Sequence, residues 1–350
     1  MSTRPTPRPT RGPGPSTATR RLTVLASLAT ATVLAGCAQL PTTSAPADTG
    51  REPLVVQPAQ AGRVVEAVTA VLQAQADPAT ADPAALATRV SGPELQLRTA
   101  AHTIAAAGAA PADTGGADDV VPITSILPRE GDFPRWFATV TAPGADQAPS
   151  LVVLRTDSAR DPYTVWATPT LLPGASLPTL AAPADGVAVV APDESTNLPA
   201  SPADLAARYG DVLTNGATSR YSDQFGADAY RSGVESATAA ETASLQAAGG
   251  TFTQERTVLP DGVLAVRTRD GGALVVAAYS WSTTSAGPAG GRAGKLEPAL
   301  AALAGTEQAL RATVTRQEVV VFSVPPGAGG GQARAQVVAA ESGPVQVTTG

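Results

Sequence analysis

Residues 135–142 read "RWFATVTA" and residues 150–157 read "SLVVLRTD". Side chains alternate across a strand, so short runs rich in Val, Thr and aromatic residues predict two strands of one sheet. "VVPITSIL" (120–127) ahead of them and "YTVWATPTLL" (163–172) behind carry the same signal. Further toward the N-terminus the period changes. In "AQAGRVVEAVTAVLQAQAD" (59–77), Val64, Val65, Val68, Val71 and Leu72 recur at helical spacing and form one apolar stripe. Asp82 followed by Pro83 supplies an N-cap and a first-turn proline for a second helix through Val90. "GPELQLRTAAHTIAAAG" (92–108) continues as helix, and a Gly/Asp loop (111–119) leads into the strands. Helices followed by a run of antiparallel strands predict an α+β domain, with the helices packed on one face of a curved sheet.

The same order begins again near residue 200. Ser201-Pro202 caps "ADLAARYGDVLTN", a second helical run extends to about Ala248, and strands follow. Local text matches as well. "SILPREGDFPRWFATVT" (125–141) parallels "TVLPDGVLAVRT" (257–268), each read as strand, acidic turn and strand. "SLVVLRT" (150–156) parallels "ALVVAAY" (273–279), and "GPELQLR" (92–98) parallels "GADAYR" (226–231). Two similar modules are expected, 60–195 and 200–350, with Asp193–Pro199 as the joint. On element order alone each resembles the cone-shaped NTF2-like or cystatin-like folds. The second carries an insert, "GPAGGRAGKLEPALAALAG" (287–305), expected as a loop and short helix. Gly-rich "PPGAGGGQA" (325–333) is expected as a hairpin connection.

The chain starts differently. Arg4, Arg8, Arg11, Arg20 and Arg21 precede "LTVLASLATATVLAG" (22–36), fifteen residues without a charge. That is long enough for the apolar part of a secretory signal but short of the roughly 20 residues that span a bilayer. The stretch ends at Leu34-Ala35-Gly36-Cys37, and Cys37 is the only cysteine. This tetrapeptide resembles the lipobox of bacterial lipoproteins. The resemblance implies a signal peptide over 1–36, a diacylglyceryl thioether on Cys37, and a mature chain beginning there. Residues 37–59, rich in Pro, Thr and Ser, are then a disordered stalk.

Residues 1–36 hold five of the 24 basic residues and none of the 30 acidic ones, so the remainder carries 19 bases against 30 acids, a formal charge of −11. An acidic body repels phosphate backbones and anionic headgroups, which argues against nucleic acid as a partner. Heavy use of Arg, Ala, Gly and Pro resembles the output of high-GC actinobacterial genomes.

Candidate chemistry is sparse. His102 is the sole histidine; it either lines a cavity, where an imidazole moves protons near neutral pH, or simply packs. With Cys37 acylated, no thiolate zinc site can form, and no other metal or cofactor site is expected. "AGGRAGK" (289–295) fails as a phosphate loop, with Ala289 where Gly is needed and Leu296 where Ser or Thr is needed. Asp228–Arg231 reads as a surface helix pair. The richest polar-aromatic cluster is Trp136 with Asp157, Arg160, Asp161, Tyr163 and Trp166. It is either a binding patch at a hairpin tip or a turn whose aromatics pin strands into the core.

No catalytic residues are assigned. The expected function is a non-enzymatic binding or accessory role at the extracytoplasmic face of the cell membrane, anchored through diacylglyceryl-Cys37, with an envelope protein or polymer as partner. The alternatives are a cone-fold enzyme with a small-molecule pocket and a solute-binding lipoprotein of an ABC importer. The importer reading requires βαβ lobes that the text does not show.

Overall fold

A computed structural model describes residues 52–111, 119–129, 131–142, 148–327 and 334–350. Leu34, Ala35, Gly36 and Cys37 lie outside the described residues, as do most of the Gly/Asp loop and much of the 325–333 connection. The chain from Arg51 to Gly350 is one compact unit of helices and antiparallel sheets, an α+β fold.

The first half contains α1 (Pro58–Ala74), α2 (Pro83–Leu86) and α3 (Gly92–Ala106), then β1 (Pro122–Ile126), β2 (Arg135–Thr141), β3 (Leu151–Thr156), β4 (Thr164–Ala167) and β5 (Thr170–Leu171). The second half contains α4 (Pro202–Asn215) and α5 (Ala229–Ala247), then β6 (Thr251–Arg267) and β7 (Ala273–Ala286). Its insert follows as β8 (Gly294–Lys295), α6 (Pro298–Ala304) and β9 (Gln308–Ala309), and β10 (Arg311–Val324) and β11 (Gln336–Thr349) complete it. One sheet runs β1-β2-β3-β4, the other β5-β11-β10-β7-β6, so each half builds a meander after its helices.

The helix caps are the ones the sequence announces. Asp82 accepts from the Ala84 N–H at 2.9 Å, Ser201 Oγ from the Asp204 N–H at 3.2 Å, and a proline opens both helices. The helix after Asp82 is shorter than expected. It ends at Leu86, and Val90 instead bridges to Val165. A side chain expected in the stalk is also committed to the body: Val56 is buried, and the Val55 N–H donates to the Pro128 carbonyl at 2.9 Å. The apolar text "PLVV" (53–56) supplies that contact, so order begins before residue 59.

The two sheets pack face to face, and helices cover the outer faces. On the first sheet Trp136, Ala138, Leu151 and Val153 point at Leu274, Val276, Val319 and Val321 of the second. Their alternating neighbours, Phe137, Val152 and Leu154, point the other way, onto Val65, Val68 and Leu72 of α1. On the second sheet Val275, Ala277, Tyr279, Val320 and Phe322 face Leu205, Tyr209 and Val212 of α4. Strands buried on both faces read as continuous apolar runs, which is why "LVVL" and "ALVVAAY" lack polar alternation. Each such Val, Leu or Phe contributes about 1.5–3 kcal/mol by burial.

This corrects the picture of two separate cones. The halves share a core, and β5 of the first half pairs with β11 of the second, Leu171 opposite Ala339. The connecting segment is stitched to both sheets: Val187 exchanges backbone hydrogen bonds with Leu127 and Arg129, and the Val190 N–H donates to Ala265. A second correction concerns "TVLPDGVLAVRT", which forms one strand and not a hairpin. Val258 pairs with Tyr279 and Val263 with Ala277, so Leu259–Gly262 bulge out while the strand stays paired with β7 on both sides of the bulge. Asp261 adopts a φ of 50° at the tip, and its carbonyl accepts from Arg155 Nη1 at 3.0 Å.

Gly92, at the start of α3, has a φ of 57°, and a Cβ there would stand 2.5 Å from Trp166 Cδ1. Gly92→Ala therefore combines left-handed strain with a clash between two packed elements. It is expected to cost on the order of 2–4 kcal/mol, read as a lower urea midpoint with an unchanged m-value.

Candidate functional site: a cleft above a buried arginine–glutamate tier

The helix-covered face of the second sheet is built in three tiers. The deepest is apolar, with Tyr209 edge-on to Phe225 and Phe322, centroids 4.9 Å apart in each pair. Above it, at inward positions two residues apart, β6 presents Gln254 and Arg256, and β10 presents Arg316 and Glu318. Arg256 Nε donates to Glu318 Oε2 at 3.0 Å, and both side chains are 0% exposed. Arg256 Nη1 also donates to the Leu213 carbonyl at 3.0 Å, while its Nη2 finds no acceptor among the described residues. The Tyr230 hydroxyl donates to Glu318. Burial, and then the Glu318 charge, push the Tyr230 hydroxyl well above the usual tyrosine range, so it acts as a donor.

Trp281 on β7 joins this tier to the one above. Its Nε1 donates to Gln254 Oε1 at 3.2 Å, and two guanidinium carbons lie over its ring, Arg256 at 4.0 Å and Arg316 at 4.6 Å from the centroid. A ring with a negative face holds such cations in place. The third tier is an open cleft of about 340 Å³, floored by Trp281, Thr283, Val314 and Arg316 and walled by Phe252, α5 and the insert carrying α6. Arg316 is half-buried there. Its Nη1 donates to Thr283 Oγ1 at 2.8 Å, and among the described residues no carboxylate lies within ion-pair distance of it. Burial, and then the neighbouring Arg256, hold the Arg316 guanidinium below its ordinary range. Glu241, which accepts from Ser285 Oγ at 3.0 Å, stands at the mouth with Lys295 and Glu297. A larger hollow, about 470 Å³, lies between Leu172–Pro178 and Ala227–Ala229, but among the described residues Asp228 is the only ionisable group lining it.

The family model described as "Domain of unknown function (DUF8094)" matches residues 53–348. The chain belongs to the DUF8094 family. No curated protein and no solved structure matches it. The match covers both helix-plus-meander halves without a break, in line with their shared core.

A second polar cluster of the DUF8094 domain lies where the halves meet. Arg98 and Glu94 on α3 pair at 2.6 Å. Thr168, between β4 and β5, sets its Oγ1 3.1 Å from Glu94 Oε2 and 3.1 Å from Glu341 Oε2 of β11, and its N–H donates to Glu341. One hydroxyl proton serves two carboxylates. Burial, and then the Glu94 charge, push the Glu341 carboxyl well above the ordinary range. The cluster ties α3 to both sheets, since Gln317 of β10 also donates to Gln96 at 3.1 Å.

The polar-aromatic residues singled out in the sequence do not form one open face. Trp136 and Trp166 are each 5% exposed and lie between the sheets. Tyr163 packs edge-on against Phe137 at 5.1 Å. Asp157, Arg160 and Asp161 sit on the exposed β3–β4 turn. There Asp157 accepts from Arg155 Nε at 2.9 Å, and Asp161 from Ser158 Oγ at 2.6 Å. The geometry is that of a turn with its aromatics packed in the core. His102 is half-buried on α3. Asp228 caps α5 by accepting from the Arg231 N–H at 2.6 Å, and the Arg231 guanidinium goes to Glu235 at 2.7 Å, not to Asp228 as expected. Among the described residues no group of three or more His, Cys, Asp and Glu could hold a metal ion, and no helix is long and apolar enough to cross a membrane. Arg256, Trp281, Arg316 and Glu318 were missed by motif reading. Their signal was present as charges at inward period-2 positions beside apolar runs, as in "RQEVVVF" (316–322).

Proposed function

We propose that this DUF8094 protein is a lipid-anchored binding protein of the extracytoplasmic membrane face, held through diacylglyceryl-Cys37 and presenting its folded body to an envelope ligand. The observation that carries the location is Leu34-Ala35-Gly36-Cys37, set directly behind fifteen uncharged residues and an arginine-bearing lead. Two acyl chains on one thioether give stable anchoring where a single chain gives marginal, reversible binding. The binding role is supported by the second half, which holds a cation and aromatic walls in a cleft over a fixed-charge tier. Small-ligand sites combine an apolar lining with a few placed polar groups in this way.

Cells fed an alkyne-bearing palmitate are expected to label the full-length chain, and the Cys37→Ser variant is expected to carry no label. Equal labelling of the two would remove the anchor and, with it, the proposed location.

A further inference from the structure

We infer that the cleft above Trp281 takes an apolar-flanked carboxylate, whose oxygens pair with Arg316 while its apolar body lies against Phe252, Val314 and Leu300. The inference rests on the reading of the folded body as a binding module and supplies its ligand class.

Three observations lead to it. First, Arg316 uses one of its nitrogens on Thr283 Oγ1, and no group among the described residues accepts from its Nε or Nη2. A guanidinium edge presents two parallel donors, the spacing a carboxylate matches with both oxygens. Second, the cation is fixed before any ligand arrives. Trp281 lies under it, held in turn by Gln254, and the neighbouring Arg256 is occupied by Glu318. A pre-set donor costs less ordering on binding than a free surface arginine. Arg316 stands in the field of the adjacent Arg256, opposed by the charges of Glu318 and Glu241. Third, apolar side chains line much of the rest, Phe252 on β6, Val314 and Ala312 on β10, and Leu300 on α6, with Thr238 and Ser285 as neutral polar neighbours. At about 340 Å³ the cleft lies at the small end of ligand sites, suited to a single ring or short aliphatic body with its acid group. Lys295 and Arg316 are balanced by Glu241 and Glu297, so the lining has no cationic excess to hold several negative charges, which separates a carboxylate from phosphate-rich molecules.

The test uses the full-length chain in detergent, with phenylacetate, phenylethylamine and benzyl alcohol as probes of one ring and three charges. Calorimetry and the fluorescence of Trp281 are the readouts, and Trp281→Phe identifies the signal. Saturable binding of phenylacetate is expected, at least about tenfold tighter than either other probe. Arg316→Gln is expected to weaken it about tenfold or more, while Arg316→Lys, which keeps the charge and loses the fork, falls between. Melting curves of both variants establish that they fold. Phenylacetate binding that is absent, or equal in Arg316→Gln and the unaltered chain, overturns the inference. Benzyl alcohol binding as tightly as phenylacetate also overturns it, yet leaves a cleft that binds apolar molecules. Either failure leaves the membrane anchor untouched, because palmitate labelling reads that separately.

Discussion

Replacing Glu318 with alanine is expected to lower the stability of the folded chain by about 3–5 kcal/mol. The carboxylate is fully buried, pairs with Arg256 at 3.0 Å, and accepts from Tyr230. Its removal leaves a guanidinium without a counter-charge at 0% exposure and a buried hydroxyl without an acceptor. Arg256 already has one nitrogen unpaired, so the tier has no spare acceptor to redirect. Replacing both partners, Arg256→Met with Glu318→Leu, should recover most of the loss, because the pair's attraction is largely offset by the desolvation of two charges. Urea unfolding of the two singles and the double measures this as a coupling energy. Additive losses would mean that the two groups do not act as a pair.

The second large effect is a dependence on pH centred on Glu341. Its folded-state carboxyl holds a proton well above the ordinary range, by burial first and the Glu94 charge second. Below the ordinary carboxylate range both folded and unfolded chains are protonated there, and the group contributes nothing. As pH rises, the unfolded chain releases the proton while the folded chain retains it, so stability falls until the folded-state value is passed. Glu341→Gln mimics the protonated form: its carbonyl can accept from the Thr168 N–H, and its amide can donate to Thr168 Oγ1, whose proton is then left for Glu94. The variant is expected to be more stable than the unaltered chain by on the order of 1 kcal/mol or more at about pH 8, with a flatter profile from about pH 5 upward. Glu94→Gln acts oppositely on stability. It takes from Arg98 the carboxylate that Nε meets at 2.6 Å, at a cost of about 1–3 kcal/mol, and it reduces the pH dependence by removing the charge that raises Glu341. Thermal melts across pH check all three signs.

The helices and strands were legible because each announces itself locally. Asp82-Pro83 and Ser201-Pro202 start helices, the Val64–Leu72 stripe sets the buried face of α1, and the twofold order of helices then meander shows in the text. Two features were not read correctly. The Leu-Pro-Asp-Gly stretch is good turn chemistry in isolation. It becomes a bulge because β7 offers fourteen residues of continuous pairing, an effect of a partner far along the chain. The face-to-face packing of the sheets was hinted at by "LVVL" and "ALVVAAY", whose unbroken apolar text requires cover on both faces. The site was legible only in retrospect. Trp136, Tyr163 and Trp166 stand close to charges in sequence, but strand alternation sends them into cores. Arg256, Trp281 and Arg316, far apart in sequence, meet because β6, β7 and β10 are neighbours in register. Arg256 and Arg316 both stand opposite Trp281, a fact about pairing that no short stretch contains.

The most direct measurement of the proposed function is the intact mass of the chain extracted from native membranes. A mass starting at Cys37 and increased by a thioether-linked diacylglycerol is the predicted result. A chain that still begins at Met1, or one with an unmodified thiol at position 37, would contradict it.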